Sequence, residues 1–171
     1  MSITPWACGY SPVKKLARLG EQMDLPLLIT STREDEGFLG TTIEEIQHAA
    51  PVAYQNRIRR GGTLDAFGDP AFVDAVKALG QPNLIIAGLT SDVCLANTAL
   101  SAVEAGYHVH AVADASASTS VLADTVTYDR LRDRGVTVGT TMGTWSELYP
   151  DVSTPAGQRS EAAVSGRPLA A

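Results

Sequence analysis

The run Leu84-Ile85-Ile86-Ala87 constrains the fold more than any other stretch of this chain. Four uninterrupted apolar residues between Pro82 and Gly88 are too few for a helix, and they lack the alternation of a strand with one wet face. A run of this kind belongs to a strand buried on both faces, as found inside parallel sheets. Helical patterns stand on either side of it. Upstream, Asp69-Pro70 supplies a cap and an N1 proline ahead of Phe72, Val73, Val76 and Leu79, and Gly80 stops the helix. Downstream, Ser91 and Asp92 open a helix that runs through Glu104 and is ended by Gly106.

The alternation extends in both directions. Pro12 to Met23 carries Val13, Leu16 and Leu19 at helical spacing after Ser11 as N-cap, and Pro26 to Thr30 reads as a buried strand. A polar stretch, Ser31 to Thr42, leads to a short helix at Ile43 to Ile46, and Val52 to Ile58 suits another short strand before Gly61-Gly62. Further on, Tyr107 to Ala113 is a strand, Ser120 to Arg134 a helix, and Val136 to Val138 a strand. Thr144-x-x-Glu147 is a capping-box pattern that would start a last short helix. Strands alternating with helices imply parallel β-α-β units with right-handed crossovers, hence an α/β, doubly wound, mostly parallel sheet. Residues 1–151 are expected to form one domain. The stretch 152–171, rich in Ser, Pro, Gly and Ala and without periodicity, is expected to be a disordered tail.

Charge and cysteine content narrow the function classes. The net charge of −6 offers no counter-charge to nucleic acid or to an anionic membrane, so neither is expected as a partner. No apolar run approaches the roughly 20 residues needed to span a bilayer. Met1 to Tyr10 shows no basic region followed by an apolar one, so a cytoplasmic location is the default. A Cys8–Cys94 disulfide is disfavoured, because nothing else points to an oxidising compartment. His108 and His110 share a strand face but have no third ligand near them in sequence, and Gly88 and Gly106 form no dinucleotide fingerprint. No metal and no cofactor are expected.

Cys94 is the residue with chemistry to offer. It lies on the first turn of a helix that follows a strand and a tight turn, Gly88-Leu89-Thr90-Ser91-Asp92-Val93-Cys94. In an open parallel sheet, ligands bind beyond the carboxyl ends of the strands, where this turn sits. Backbone N–H groups at a helix start favour thiolate over thiol in general, and the same groups can hold an oxyanion. The plainer alternative is a small buried hydrophobe, the usual role of a free cysteine.

The turn Gly88 to Cys94 closely resembles the nucleophile turn of the isochorismatase-like cysteine hydrolases. Glu104-Ala105-Gly106-Tyr107, Ala113-Asp114-Ala115-Ser116, Ala66-Phe67 and Asp69 to Val73 resemble the landmarks that surround it, across about Pro12 to Tyr149. The resemblance implies a three-layer α/β fold, a triad of aspartate, basic residue and cysteine, and attack on an amide-like carbonyl carbon of a small molecule. Cys94 matches the nucleophile. Arg60, ahead of Gly61-Gly62-Thr63, matches the basic residue, in the branch with arginine in place of lysine. A guanidinium does not shuttle protons, so Arg60 would stabilise a thiolate or a bound carboxylate, unless it is an ordinary surface arginine beside Arg57 and Arg59. The resemblance also places a cis peptide at Leu89–Thr90, turning the Thr90 N–H, with that of Cys94, toward an oxyanion. It assigns Phe67 to substrate binding. Members often carry asparagine where this chain has Asp65.

One part of the pattern is not matched. Family members open with an apolar strand that ends in the general-base aspartate, whereas no apolar strand ending in Asp precedes Asp24 here. The first central strand is therefore expected to be missing, leaving the edges of Leu27 to Thr30 and Leu84 to Ala87 unpaired and disposed to oligomerise. Ile3 to Tyr10 is one segment that could fill the gap. Two functions remain open: a hydrolase of small-molecule C–N bonds through Cys94, or a catalytically impaired remnant that keeps the fold and the contacts of a homo-oligomer. Asp65 and Asp114 are the carboxylates that could replace the base.

Overall fold

The computed structural model of the chain describes residues 11–37 and 40–167. Five short strands, all paired in parallel, carry the architecture. β1 (Thr30–Thr32) pairs with β2 (Ile58–Arg60), bringing Thr32 opposite Arg60. β3 (Asn83–Ile86), β4 (His108–Val112) and β5 (Thr137–Gly139) form a second ladder, with Leu84 opposite Val109 and His110 opposite Thr137. This is the α/β parallel arrangement expected from the alternating runs. Among the described residues β1 pairs only with β2 and β3 only with β4, so each has one unpaired edge. Ile85 is 44% exposed, so one face of β3 is open rather than buried on both sides as its apolar run predicts. Ile3 to Tyr10 and Cys8 lie outside the described residues.

Helices hold the two pieces together. α4 (Pro70–Leu79) is capped by Asp69, whose carboxylate accepts from Ala71 and Phe72 N–H, and ends on Gly80 at φ +62. Its Phe72 and Val76 pack with Ala66 against Leu28 and Ile58 from one piece and Leu84 from the other. α5 (Ala96–Glu104) and α6 (Val121–Asp133) cover one face of β3–β4–β5. That core joins Ala99, Leu100, Val109, Ala111, Tyr128 and Leu131, of which Ala99, Ala111 and Leu131 are fully buried. Burying one leucine completely contributes roughly 1.5–3 kcal/mol, so this cluster anchors the layer. On the other side α1 (Pro12–Gln22), capped by Ser11 as its sequence predicts, packs Leu19 and Met23 against Ala163 and Val164. Among the described residues no helix is long and apolar enough to cross a membrane.

Several elements differ from their sequence pattern. The strand expected at Val52 to Ile58 is mostly helix: α2 (Glu44–Ala49) is followed at once by α3 (Pro51–Gln55). Pro51 presets the first helical φ, and the Glu21 carboxylate accepts the Val52 N–H at 2.9 Å, so only Ile58 to Arg60 remain extended. The ladder expected over Pro26 to Thr30 lies at Thr30 to Thr32, because pairing follows the three residues that β2 offers. α7 (Thr141–Leu148) starts one turn before the Thr144 capping box. Thr140 caps it, and Thr144 lies buried within it with its hydroxyl 3.1 Å from His110 Nε2.

The largest difference concerns residues 152–171. Pro155 to Ser165 form a helix, α8, capped by Thr154 and closed by Gly166 at φ +71. Its buried face is Gly157, Ser160, Ala163 and Val164, and Trp145 Nε1 donates to Ser160 Oγ at 3.0 Å. These small residues carry little hydropathy contrast, which is why no periodicity shows in the sequence. Close approach explains the glycine: a Cβ at Gly157 would stand 2.1 Å from the Asp151 carbonyl oxygen. In an open helix Gly→Ala stabilises by about 1 kcal/mol. Here Gly157→Ala should instead lower the urea midpoint, followed by tryptophan fluorescence, because the clash is with backbone.

Candidate active site

The turn after β3 is built by its backbone. Gly88 adopts φ +144, a conformation that side chains oppose, and the Leu89–Thr90 peptide is cis, as the sequence resemblance implies. The following residues, Ser91 to Leu95, make a π-helical turn that runs directly into α5. Its mark is the Thr90 carbonyl, which accepts from Leu95 N–H at 3.2 Å as well as from Val93 N–H at 3.3 Å. The expected helix from Ser91 to Glu104 is therefore present, with a widened first turn. Cys94 sits in that turn as a free, half-buried thiol.

A second stretch braces this turn from the β4 side. Gly88 N–H donates to Ser116 Oγ at 3.1 Å, and Ser116 Oγ donates to the Val112 carbonyl at 2.8 Å. Leu89 bridges to Ala117, whose carbonyl accepts from Ser91 N–H at 3.0 Å. Ser91, fully buried, donates its hydroxyl proton to Asp124 Oδ1 in a short hydrogen bond. Tyr128, one turn further along α6, donates to the Ala113 carbonyl at 3.2 Å, and burial pushes its phenol up, so it remains a donor.

Arg60 is no surface arginine. It is 6% exposed at the end of β2, and its three nitrogens donate to Thr30 Oγ1 (2.8 Å), Thr32 Oγ1 (2.8 Å) and the Thr63 carbonyl (2.5 Å). Its two neighbours are paired with carboxylates: Arg57 is bound through both ends by Glu34, and Arg59 by Asp35. The Arg57 guanidinium holds the Glu34 carboxyl below its usual range, against the opposing effect of burial. Among the described residues no carboxylate pairs with Arg60, so a buried positive charge rests on neutral acceptors alone. Such a charge is stabilised by any anion that reaches it.

The loop after Arg60 lies along α5. Ala66 N–H donates to Thr98 Oγ1 at 3.0 Å, and Ser101 Oγ donates to Asp65 at 2.6 Å. These two contacts fix the loop against Thr98 and Ser101, on the helix that follows the Cys94 turn. Both substitute carboxylates are engaged elsewhere. Asp65 also accepts from Phe67 N–H at 2.9 Å, and Asp114 accepts both the N–H and the hydroxyl of Thr141, at 2.7 and 2.9 Å. The structure gives Phe67 a packing role that the expected substrate contact did not foresee. Its ring centroid is 5.7 Å from that of Phe72 and 5.9 Å from that of Tyr107. His110, beside Thr144, has Glu147 at 3.8 Å, and the cleft of about 330 Å³ on this sheet face opens away from the thiol, at the start of the strands.

Sequence reasoning missed the supports: Thr30 and Thr32 under Arg60, and Asp124 under Ser91. Thr30-x-Thr32 was visible as two hydroxyls on one strand face, but their partner depended on which strand pairs beside them. Asp124 carried no signal, being one acidic residue in a helix start.

A parallel α/β sheet with a thiol in the turn after an apolar strand, and a buried cation at the end of another strand, defines a class. The chain belongs to the isochorismatase family: residues 13–142 match the family described as Isochorismatase domain. Over 139 residues it is 36% identical to the protein named "Probable hydrolase YcaC" of Escherichia coli (strain K12), covering 81% of this chain and 65% of that protein. The chain thus spans just under two thirds of that relative's length. It also resembles the structure of YcaC from Pseudomonas aeruginosa with hexane-2,5-diol and covalent acrylamide, with TM-score 0.83 and 32% identity, covering 92% of this chain and 76% of that one. The structure of Escherichia coli YcaC, described as an octameric hydrolase of unknown specificity, gives TM-score 0.77 and 32% identity over 86% of this chain and 72% of that one.

The Arg60 cradle makes its own prediction. Thr30→Val and Thr32→Val keep shape but remove an acceptor from a buried guanidinium, and each should cost about 1–3 kcal/mol in urea unfolding. Thr42→Val, in a loop away from the guanidinium, should be near neutral.

Proposed function

We propose that this chain is a hydrolase of a C–N, amide-type bond in a small molecule, with Cys94 as nucleophile and Arg60 as a fixed positive charge. The observation that carries the reading is the position of Cys94, in the widened helical turn directly after the cis Leu89–Thr90 peptide, in a chain of the isochorismatase family. In the reaction the Cys94 thiolate attacks the carbonyl carbon and its electrons move to oxygen, with Thr90 and Cys94 N–H groups as the proposed oxyanion donors. Collapse of that intermediate breaks the C–N bond, the amine leaves with a proton, and a thioester remains. Water then attacks the thioester, releasing the acid and returning the thiolate. Covalent acrylamide in the Pseudomonas aeruginosa relative supports the reading, since acrylamide is an electrophile of the kind that thiolates attack.

A second reading, a catalytically impaired member, is favoured by one observation. Asp65 and Asp114, the two carboxylates considered as substitute base, are both held by other partners. Proton transfer commonly contributes roughly 10²–10⁴-fold in rate, so losing it leaves nucleophilicity intact while slowing turnover. Labelling and turnover therefore separate the readings. Acrylamide should label Cys94 near neutral pH, as followed by mass spectrometry, and Cys94→Ser should abolish this. Arg60→Ala should slow it by several-fold, roughly the effect of removing one partly screened charge. Turnover of small amides is brisk in the hydrolase reading and feeble in the impaired one. Brisk hydrolysis that Asp65→Asn or Asp114→Asn removes would identify a working base and reject the impaired reading, while an inert Cys94 would reject the nucleophile.

Homo-oligomerisation belongs to the same proposal. The Escherichia coli relative is an octamer, and α6 exposes Val121 (75%), Leu122 (71%) and Val126 (59%) here. Apolar side chains grouped in this way favour burial against another protein surface. Sedimentation velocity should show a species larger than the monomer, and Val121→Glu with Val126→Glu should shift it toward monomer; a monomer at all concentrations would defeat the idea.

A further inference from the structure

We infer that Asp124, at the start of α6, is a positioning residue for Cys94: it holds Ser91, the first residue of the π-helical turn, and through Ser91 the orientation of the thiol. The inference rests on Cys94 being the nucleophile and adds a residue to that site. Ser91 is fully buried, and both of its donors reach the stretch that leads into α6. Its N–H goes to the Ala117 carbonyl at 3.0 Å and its hydroxyl to Asp124 Oδ1. A buried hydroxyl left without a partner is costly, so the side chain is tied to wherever its acceptor sits.

The tie has leverage because of the turn's hydrogen-bond pattern. In an ordinary α-helix the Leu95 N–H would reach the Ser91 carbonyl, four residues back. Here it reaches Thr90 at 3.2 Å instead, and Ser91 accepts from Ala96. Such π-turns are uncommon and appear mostly where function requires them. Releasing Ser91 from α6 frees the turn to adopt the regular pattern, which rotates Cys94 relative to the sheet. Thr90, whose N–H is a proposed oxyanion donor, precedes Ser91 in the chain and Cys94 follows it, so the same movement changes the spacing of the two.

What the site requires of Asp124 is an acceptor, not a charge. A carboxylate near a thiolate opposes it electrostatically, and Asp92 already stands in the same turn, with Asp114 beyond β4. Tyr128, the other ionisable group beside Ser91, stays a neutral donor. An amide at position 124 therefore keeps what matters and removes what does not.

The test is the rate of acrylamide addition to Cys94 in the full chain, measured from about pH 5 to 10 so that the plateau reports the fully ionised thiol. Asp124→Ala and Ser91→Ala should each lower the plateau by about tenfold, the size expected from losing one buried hydrogen bond. The double variant should be no slower than either, because both changes cut the same contact. Asp124→Asn should restore the plateau to within about threefold of the unaltered chain. A merely structural role gives no such rescue at the plateau, and thermal melts identify any variant that fails to fold. If Asp124→Ala does not fold, Ser91→Ala, which removes only a hydroxyl, carries the comparison with Asp124→Asn. An unchanged plateau in Ser91→Ala, additive losses, or failure of Asp124→Asn to rescue would overturn the positioning role while leaving Cys94 as nucleophile. An unreactive Cys94 in the unaltered chain would instead overturn the nucleophile, and this role with it.

Discussion

Parallel pairing of β3 with β4 is the constraint on which the site depends. Parallel strands send their following connections out at the same, carboxyl end of the sheet, so the turn 88–91 and the segment 113–117 lie side by side. With Leu84 opposite Val109 the strand register alone would bring Gly88 to Ala113, but the 3₁₀ turn Ala113–Ala115 takes up three residues, so Gly88 falls beside Ser116 and Leu89 beside Ala117. The turn that carries Cys94 is thus held from outside. It has left the ladder and has not yet become a regular helix, so its N–H groups find partners in the next β-α connection. Two hydroxyls, those of Ser91 and Ser116, convert this adjacency into geometry.

The other sheet piece repeats the logic with charge. Thr30 and Thr32 project from one face of β1, and the register with β2 sets Arg60 opposite Thr32. A planar guanidinium with three nitrogens held by three different oxygens has no freedom to turn, which a lysine ammonium in the same place would retain. Immobility is also the cost. Arg57 and Arg59 have carboxylates to neutralise them, whereas Arg60 is more buried than either and has none among the described residues. A protein tolerates such an arrangement where an anion arrives during its work, and the oxyanion, thiolate or carboxylate of an acyl-transfer reaction would each serve.

The sequence was legible where one residue type has one mechanical use. Asp69-Pro70 could only start a helix, and Gly88 to Cys94 matched a turn whose cis peptide and helix start both appear. It was illegible where a local pattern had two solutions decided by distant contacts. Val52 to Ile58 has strand-forming residues, but Glu21, thirty-one positions upstream, accepts the Val52 N–H and favours a helix. Thr144-x-x-Glu147 matches a capping box, yet Asp114 binds Thr141 and the helix begins earlier. α8 escaped notice because its buried face is glycine, serine and alanine with a single valine, Val164, so closeness counts there more than hydropathy. Phe67 was assigned by analogy, and its ring proves to be wedged between Phe72 and Tyr107.

These placements divide the chemistry of the site into two independent parts. Under the proposed reading, nucleophilicity needs a thiolate in a fixed orientation, and the supports proposed for it (Ser91, Asp124 and the widened turn) come from contacts within the described fold. Proton handling needs a carboxylate with a free oxygen beside the sulfur. Asp65 and Asp114 have instead become fasteners, one capping the 3₁₀ turn Ala66–Gly68 and clasping Ser101, the other starting α7. Pulling either one into the site would undo a helix start, at a cost of roughly 0.5–2 kcal/mol for a lost cap. That cost opposes recruitment of these side chains as bases.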